Sequence, residues 1–283
     1  MLNKLMKKLI LLPFYISFYL GEAYSIFLRF IKNKYYSKWY DLCSREINKK
    51  FLEINHLSIE KKKISLKFYT PNSRCKGRVE TFSSKEPETL DWIDRQKAGG
   101  IFFDVGSNIG LYTVYYAKSK EGKVYSFEPS VYNIYQLVKN IDLNNLKNIF
   151  VIKNPLCEKN QISNLAFNKL DKGGSEVFFG QKILKSLNET KYNMKHNLSY
   201  KSLGLSIDYL VESEMIEIPD CIKIDVDGTE ELIIEGAKNT LLNPKVKSIL
   251  IEVNDILDNS TNKIEKQLKV LGFIKSNIKN PNT

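Results

Sequence analysis

From Ile101 onward, short apolar runs alternate with longer amphipathic stretches, and this rhythm constrains the fold more than any other feature of the sequence. Such alternation is typical of parallel βαβ units. We therefore predict an α/β fold, a Rossmann-like doubly wound and mostly parallel sheet with helices on both faces. The predicted strands are residues 101–105, 123–128, 149–153, 221–225, 248–253 and 273–275, and the predicted helices are 109–117, 131–143, 229–241 and 263–271.

Two regions do not follow this rhythm. Residues 154–219 are too long for one connection, so we predict an insert with a strand at 164–167, a glycine pair at Gly173-Gly174 and a helix around 206–211. We expect this insert to govern substrate specificity. Residues 1–78 are predicted to form a helical accessory region with helices at 5–30 and 38–51 and a strand at 64–68, and residues 79–283 the main domain, in which Pro87 starts a helix that stops at Gly99-Gly100.

The charge of the chain is lopsided. Residues 1–78 carry 17 Lys and Arg against 5 Asp and Glu, whereas residues 79–283 carry 26 against 27. Because the basic surplus lies outside the predicted domain, it favours an anionic membrane surface over nucleic acid as a partner. We therefore expect a cytoplasmic protein, peripheral at the inner membrane face.

The N-terminal segment has three interpretations. Lysines precede an apolar run at 9–20, and Gly21-Glu22-Ala23 resembles a signal cleavage site. A run of 12 residues is shorter than the roughly 20 that span a bilayer. We favour an interfacial helix over residues 5–31, with a helix packed on its own domain and a signal or anchor as the alternatives.

Cysteine and histidine offer little chemistry. Cys43, Cys75, Cys157 and Cys221 lie far apart, with no CxxC pair, so we expect free thiols and no zinc site. His196 falls within the insert, where it is either a general base or a surface residue.

A glycine-bearing loop follows the first predicted strand. That strand ends at Asp104, and a helix follows Gly110. Glycine lets backbone turn tightly and approach a ligand, but this loop lacks the G-x-G-x-x-G of dinucleotide sites. A carboxylate at the strand end repels a diphosphate and attracts the ammonium and sulfonium groups of S-adenosylmethionine. The alternative is a plain turn that binds nothing. The predicted cofactor-binding residues here are Asp104, Gly106, Ser107, Asn108 and Gly110.

The second predicted strand also ends in an acid, Glu128, 18 residues after Gly110. A carboxylate at this position binds ribose hydroxyls in nucleotide-binding folds. We therefore predict that Glu128 binds the ribose, with Pro129 beside it and Phe127 near the adenine. The alternative for Glu128 is an acid that favours the start of the next helix.

A pair of acids follows the fourth predicted strand. If Asp225 and Asp227 are both extended, they project to the same side and face the ligand crevice. We predict that one of them orients and deprotonates a substrate hydroxyl, with Glu252 as a weaker addition. The pair could instead hold a divalent cation such as magnesium, and Asp227 could instead cap a helix.

Four segments together resemble the FkbM-type family of class I S-adenosylmethionine-dependent methyltransferases: IFFDVGSNIG at 101–110, VYSFEP at 124–129, IKIDVDG at 222–228 followed by EGA, and ILIE at 249–252. SIDYL at 206–210 resembles the short helix before the family's fourth strand. The resemblance covers about two thirds of the chain, from about Thr81 to Phe273. It implies a seven-stranded sheet with the last strand antiparallel, and it assigns Asp104 to Gly110 to methionine, Glu128 to ribose, and Asp225 and Asp227 to the active face.

The chain departs from the family at two places. The family more often has Glu where Asp227 stands, and only ten residues follow Phe273, too few for a turn and another strand. The edge of the sheet is therefore absent or supplied by the N-terminal region.

The resemblance implies O-methylation of hydroxyls on glycans or other natural products. Together with the basic, aromatic N-terminus, it leads us to expect a hydroxyl of a glycan or glycolipid-type acceptor, in cell-surface polysaccharide modification. RNA or protein methylation, a non-catalytic membrane-associated protein that keeps the fold, and a dehydrogenase are the alternatives.

Overall fold

The computed structural model describes residues 2–30, 50–168, 171–175, 177–180, 198–253 and 260–276. The chain divides into two compact units, Met1–Lys50 and Phe51–Thr283. The second unit begins at Phe51. Leu66 and Phe68, which precede the predicted domain start at Val79, are fully buried in its core.

In the first unit, helix α1 (Leu2–Phe30) confirms the predicted N-terminal helix. Its large apolar side chains from Leu11 to Phe27 are exposed wherever the structure describes them, including Ile16, Tyr19 and Leu20. None of the described helices combines the length and the apolarity that a bilayer crossing requires. The predicted helix at 38–51 lies outside the described residues except for its end, and Phe51 begins a strand instead.

The second unit opens with an antiparallel hairpin, β1 (Phe51–Leu57) and β2 (Lys63–Tyr69). Alternate side chains of β2, Ile64, Leu66 and Phe68, are buried, which confirms the predicted strand. Three short helices follow: α2 (Ser73–Glu80), α3 (Phe82–Lys85) and α4 (Pro87–Asp94). Asn72 caps α2 by accepting a hydrogen bond from the Cys75 N–H at 2.8 Å, and Pro87 begins α4, as predicted.

The rest of the unit alternates strands and helices. In chain order these elements are β3 (Ile101–Val105), α5 (Leu111–Ser119), β4 (Lys123–Phe127), α6 (Val131–Leu143), β5 (Ile149–Ile152), β6 (Gln161–Phe167), β7 (Val177–Phe179), β8 (Leu198–Gly204), α7 (Ile207–Glu212), β9 (Cys221–Ile224), α8 (Glu230–Glu235), α9 (Lys238–Leu241), β10 (Ser248–Ile251) and α10 (Ser260–Val270).

Five of these strands form a parallel sheet in the order β10-β9-β3-β4-β5. Its two faces bury alternate residues. Phe102 and Val124 pack with β2, α4 and α5, whereas Phe103 and Ile222 pack with α7, α8, α9 and α10. Helices therefore cover both faces, and the predicted doubly wound α/β architecture is confirmed.

The insert contributes a three-stranded antiparallel sheet in the order β7-β6-β8. The predicted strand at 164–167 is the second half of β6. The helix predicted around 206–211 is α7, which Ser206 caps by accepting from the Tyr209 N–H at 3.2 Å.

Two predicted elements are wrong. Residues 273–275 are irregular and form no strand, and because β1 and β2 make a sheet of their own, the hairpin does not supply a further edge strand to the five-stranded sheet. The predicted helix at 229–241 is divided into α8 and α9 at Gly236, where a Cβ would overlap the Cys157 carbonyl oxygen.

Candidate active site

The site lies at the carboxyl edge of the parallel sheet. From β3 the chain winds one way to β4 and β5, and it then returns to the other side as β9 and β10. Ligands bind at such a switch point, where a crevice opens between the diverging connections. A cavity of about 260 Å³ lies there. Its walls include Gly106, Ser107, Asn108, Tyr112, Glu128, Pro129, Asn133, Asp225, Asp227 and Glu252, together with Arg78, Thr81, Phe82, Lys85 and Glu86 from the helices that precede β3.

Gly106 is required by the packing of the loop after β3. Its φ is 82°, and a Cβ there would overlap the Asp225 carbonyl oxygen. The N–H groups of Gly106 and Ser107 both donate to the Phe127 carbonyl, at 3.0 and 3.1 Å. The glycine thus allows three chain segments to meet beneath the cavity. Gly110 also has a φ of 82°, but it lies at the start of α5, outside the cavity lining found in the described chain.

Glu128 is held almost entirely by neutral donors. The Asn108 N–H donates to its Oε2 at 2.8 Å, and the Ser130 N–H donates to its Oε1, also at 2.8 Å. The Asn133 amide lies 3.4 Å from Oε1. Burial raises the pKa of Glu128 to about 7, against the opposing effect of these hydrogen bonds. Glu128 and Pro129 line the cavity, where the sequence predicted the ribose. Phe127 instead packs against Phe103 in the core.

Asn108 connects this wall to the insert. Its backbone is left-handed, with a φ of 51°, and its amide Nδ2 donates to the Gly174 carbonyl at 2.8 Å. Asn133 holds the same segment, donating to the Gly174 carbonyl at 2.9 Å and accepting from the Gly173 N–H at 2.9 Å. The buried Oδ1 of Asn108 has no hydrogen-bond partner within the described chain. Asn108 thus brings a buried, unsatisfied acceptor atom next to the cavity wall.

Asp104 lies behind the loop. One of its oxygens accepts from the Thr113 hydroxyl, and among the residues with described positions it does not line the cavity. Burial raises the pKa of Asp104, and the nearby Lys223 ammonium opposes this rise. The structure therefore gives Asp104 a place beneath the glycine loop, and its predicted contact with the methionine ammonium stays a prediction.

Another residue of the cavity wall, Asp225, forms an ion pair with the buried Lys223. Lys223 Nζ lies 2.6 Å from Asp225 Oδ2, and the lysine side chain is only 3% exposed. The ammonium also lies 4.9 Å from the centre of the Tyr112 ring. Burial disfavours the charged form of Asp225, but the Lys223 ammonium outweighs it and holds the pKa of Asp225 below its usual value. Asp225 is therefore a carboxylate in the resting protein.

Two further acids join Asp225. Carboxylate oxygens of Glu86, Asp225 and Glu252 all lie within 4.8 Å of one another. Glu86 accepts from the Tyr112 hydroxyl at 2.7 Å and from Lys85 at 2.6 Å. Much of Glu252 is exposed, yet partial burial of its carboxyl, followed by the charges of Asp225 and Glu86, raises its pKa to about 7.

Asp227 also lines the cavity. β9 ends at Ile224, so Asp225 and Asp227 follow it in irregular backbone and do not extend from the strand as a matched pair. Asp227 contributes to the raised pKa values of Glu128 and Glu230. Both acids line the cavity, and their catalytic roles stay predictions.

The arrangement fits a cationic cofactor better than a resident metal ion. Acids outnumber bases in the cavity wall, which favours a sulfonium over a diphosphate. The three clustered acids, in contrast, already have a cation, because Lys223 binds Asp225 directly and Lys85 binds Glu86. Asp227 is not part of this cluster as far as the described chain shows. The predicted divalent cation therefore does not fit these residues.

Several site residues escaped the sequence reasoning. Lys223 had a readable signal, since a lysine inside an otherwise apolar central strand is buried and must be paired. Glu86, Tyr112 and Asn133 gave none, because tertiary packing alone brings them to the cavity. His196 lies outside the described residues. His56 pairs with the exposed Ser83 hydroxyl at 2.9 Å, away from the cavity lining.

The predicted free thiols are confirmed where the structure describes them. Cys75, Cys157 and Cys221 are buried and unpaired, and Cys43 lies outside the described residues. Burial raises the pKa of the Cys221 thiol to about 12, so it is an unreactive core residue.

Comparison with known proteins identifies the family. The model of the methyltransferase FkbM domain matches residues 104–275, more than half of the chain. A search of curated proteins gave no significant match.

Solved structures of methyltransferases also resemble the chain, at low identity. The methyltransferase FkbM from Methylobacillus flagellatus KT is 18% identical over 55% of this chain and 33% of its own, with a TM-score of 0.36. This chain therefore spans about a third of that protein's length. Precorrin-6y C5,15-methyltransferase from Geobacter metallireducens GS-15 is 12% identical over 67% and 71% of the two chains, with a TM-score of 0.38. The T. thermophilus 16S rRNA N2 G1207 methyltransferase, solved with AdoMet and guanosine, is 11% identical over 76% and 45%, with a TM-score of 0.35.

The family match covers the glycine loop, Glu128 and both acids after β9, the residues on which the sequence resemblance depended. The chain therefore belongs to the FkbM methyltransferase family, and its domain is that of an S-adenosylmethionine-dependent methyltransferase.

Proposed function

We propose that this protein transfers a methyl group from S-adenosylmethionine to a hydroxyl of a glycan or glycolipid-type acceptor. The observation that carries the proposal is that two chemically different groups of acids line one cavity. We assign the part lined by Glu128 and Asn108 to the cofactor, as the cofactor end, and the part lined by the carboxyl cluster of Asp225 and Glu252 to the acceptor, as the acceptor end.

The chemistry follows from this division. When bound, S-adenosylmethionine supplies an electrophilic methyl group on its sulfonium. The protein then has two tasks: to hold donor and acceptor in line, and to accept the hydroxyl proton as the oxygen attacks. A sugar hydroxyl is weakly acidic, so proton removal accompanies the attack. Carboxylates at the acceptor end can perform the second task.

The lining suits a sugar. A sugar ring presents hydroxyl groups at its edge and C–H bonds on its faces. Thr81, Ser175 and Asp227 offer polar contacts in the cavity wall, and Phe82 and Tyr112 offer aromatic surface. Small-molecule sites usually combine a few polar groups, which fix the orientation of the ligand, with surrounding aromatic side chains.

Calorimetry and label transfer test this function. In the first experiment, wild-type protein is titrated with S-adenosylmethionine. In the second, the protein is incubated with S-[methyl-³H]adenosylmethionine and an envelope glycan extract from cells that do not produce this protein. We expect heat of binding and label in the glycan. Absence of heat would contradict the proposed methyltransferase activity. Label in parallel RNA or protein extracts, and not in the glycan extract, would show that the acceptor is RNA or protein.

We also propose that α1 places the enzyme on an anionic membrane surface. The support is the row of exposed apolar side chains in α1 and the basic surplus of residues 1–78. The full chain should sediment with phosphatidylglycerol vesicles and less with phosphatidylcholine vesicles, because an anionic surface attracts a basic segment. A chain lacking residues 1–35 should stay in the supernatant. Equal sedimentation of the two proteins would contradict the proposal.

A further inference from the structure

We propose that Glu252 is the group that takes the proton from the acceptor hydroxyl, and that Asp225 is a positioning residue held by Lys223. This assignment rests on the proposed function and reverses the sequence-based order, in which Asp225 or Asp227 was the base and Glu252 a minor addition.

The positions of the two carboxyls distinguish them. Asp225 Oδ2 is engaged with a lysine at 2.6 Å that is almost completely buried, so this oxygen faces the protein. Glu252 follows β10 and lines the same cavity from its exposed side. Of the two carboxyls, Glu252 is the more exposed and forms no ion pair among the described residues, so it is the one available to an acceptor that enters from solvent.

The charges of the cluster point the same way. Glu86, Asp225 and Glu252 bring three carboxyls within 4.8 Å, and two lysines pair with two of them. Lys223 pairs with Asp225, and Lys85 pairs with Glu86. Glu252 instead shares a hydrogen bond with Asp225. It is therefore the member that holds a proton at least cost, because three adjacent negative charges repel one another.

The groups facing Glu252 set its proton affinity. Asp225, on the loop after β9, and Glu86, between α3 and α4, raise the pKa of Glu252, and Lys223 on β9 lowers it. Tyr112 on α5 is neutral, since burial raises its pKa well above its usual value. With partial burial of its own carboxyl, the net result is a pKa of about 7, near the optimum for a group that exchanges protons at neutral pH.

The step balances without further reactants. A lone pair of the acceptor oxygen forms the new O–C bond to the methyl carbon as the S–C bond breaks. The electron pair of that bond stays on sulfur, which becomes a neutral thioether, and the hydroxyl proton passes to the Glu252 carboxylate. Product release and loss of this proton to solvent restore the carboxylate. Asp225 keeps its charge throughout, because Lys223 neutralises it.

Two substitutions in one assay test the assignment. Label transfer to the glycan extract is measured from pH 5.5 to 9 for wild type, Glu252→Gln and Asp225→Asn. S-adenosylmethionine is kept saturating at every pH, so that titration of Glu128 does not contribute, and kcat/KM for the glycan acceptor in wild type should rise with pH to a plateau, with an inflection near 7. Glu252→Gln should lower the plateau by about 10²- to 10⁴-fold and remove the inflection.

Asp225→Asn should keep an inflection, moved to lower pH, because a negative neighbour of Glu252 has gone and the Lys223 charge is unpaired. The reverse result, with the inflection kept in Glu252→Gln and lost in Asp225→Asn, would overturn the assignment and make Asp225 the base. Glu265→Gln, at an exposed glutamate on α10 paired with Lys275, is the matched control and should leave the profile unchanged.

Folding and function are monitored separately. Calorimetry should show that Glu252→Gln binds S-adenosylmethionine within about twofold of wild type, since Glu252 lies at the acceptor end. Carbon-13 NMR of glutamate-labelled protein should show a carboxyl signal that titrates near 7 in wild type and is missing from this variant. If the two spectra do not differ in this way, the proposal is overturned.

The two proposals fail in distinguishable ways. If wild type binds the cofactor but labels no glycan, the proposed acceptor fails. If wild type labels glycan and Glu252→Gln does so equally at all pH values, only the Glu252 assignment fails.

Discussion

Two carboxyls of the cavity wall are stabilised in different ways. Glu128, at the proposed cofactor end, accepts two backbone N–H groups and a side-chain amide, all neutral. Asp225, at the proposed acceptor end, has a buried ammonium as its partner. Glu128 consequently keeps a raised pKa, whereas the pKa of Asp225 is lowered. Glu128, held by neutral donors, can therefore exchange its proton near neutral pH, whereas Asp225, paired with a buried lysine, keeps its negative charge.

Substitution of Gly106 should have the largest effect on cofactor binding, and it tests how far the cofactor end depends on backbone geometry. We expect Gly106→Ala to lose about 100-fold in affinity for S-adenosylmethionine, because the methyl group overlaps the Asp225 carbonyl and displaces the loop. Gly99→Ala is the control: its φ of 71° carries a similar backbone strain of about 1–2 kcal/mol, but its Cβ meets open space. Equal loss of affinity in both variants would show that strain, not the close approach, matters.

Removal of the Lys223 ammonium tests the acceptor end. We expect Lys223→Met to lower the free energy of unfolding by about 3–5 kcal/mol, since Asp225 and Asp104 are left without their cation. The pKa values of both acids then rise, so the loss should be large at pH 8 and shrink towards pH 5 as they become protonated. Urea unfolding at both pH values measures this.

The control for that prediction is Lys123→Met, which removes a half-exposed lysine from its pair with Glu217. It should cost less than about 1 kcal/mol at either pH, because solvent screens surface pairs. A pH-independent loss in Lys223→Met would mean that packing, not charge, explains it.

Glu128→Gln should have the smallest effect of the three. An amide cannot accept on both sides, so one backbone N–H of the pair from Asn108 and Ser130 is left unsatisfied, and affinity for S-adenosylmethionine should fall about 10-fold. In wild type the affinity should increase as pH rises through about 7, where the ribose hydroxyls gain a carboxylate acceptor. The variant should show no such dependence in calorimetry, and the exposed Glu60→Gln should behave as wild type.

The same contrast explains what the sequence could predict. Gly106 and Glu128 follow neighbouring strands, so short apolar runs, glycines and strand-ending acids are enough to predict that both lie at the same edge of the sheet, where they line the cavity. Helix α6 has the predicted bounds, Val131–Leu143. The acceptor end is assembled from residues as distant as Glu86 and Glu252, and no local pattern reports their contact.

The errors have physical reasons as well. β1 was missed because its inward positions carry only Leu52 and Ile54 before His56, too short an alternation to identify. Residues 273–275 read as a strand because Phe273 and Ile274 are apolar, but Ile274 is 94% exposed and pairs with no described strand. A short apolar segment such as residues 273–275 does not form a strand unless a neighbouring strand supplies partners for its backbone hydrogen bonds.

Because β2 packs against the parallel sheet, the part of the chain that folds as one unit is longer than the family domain. The family match begins at Asp104, near the end of β3, yet Leu66, Phe68 and Trp92 help to cover the face of the sheet that Phe102 and Val124 present. A chain cut to residues 104–275 would expose part of that face to water and would also lack Glu86. The segment that the family model matches is therefore shorter than the segment that packs as one core. A gene fusion or domain transplant intended to keep the methyltransferase domain folded should include the chain from Phe51 onward.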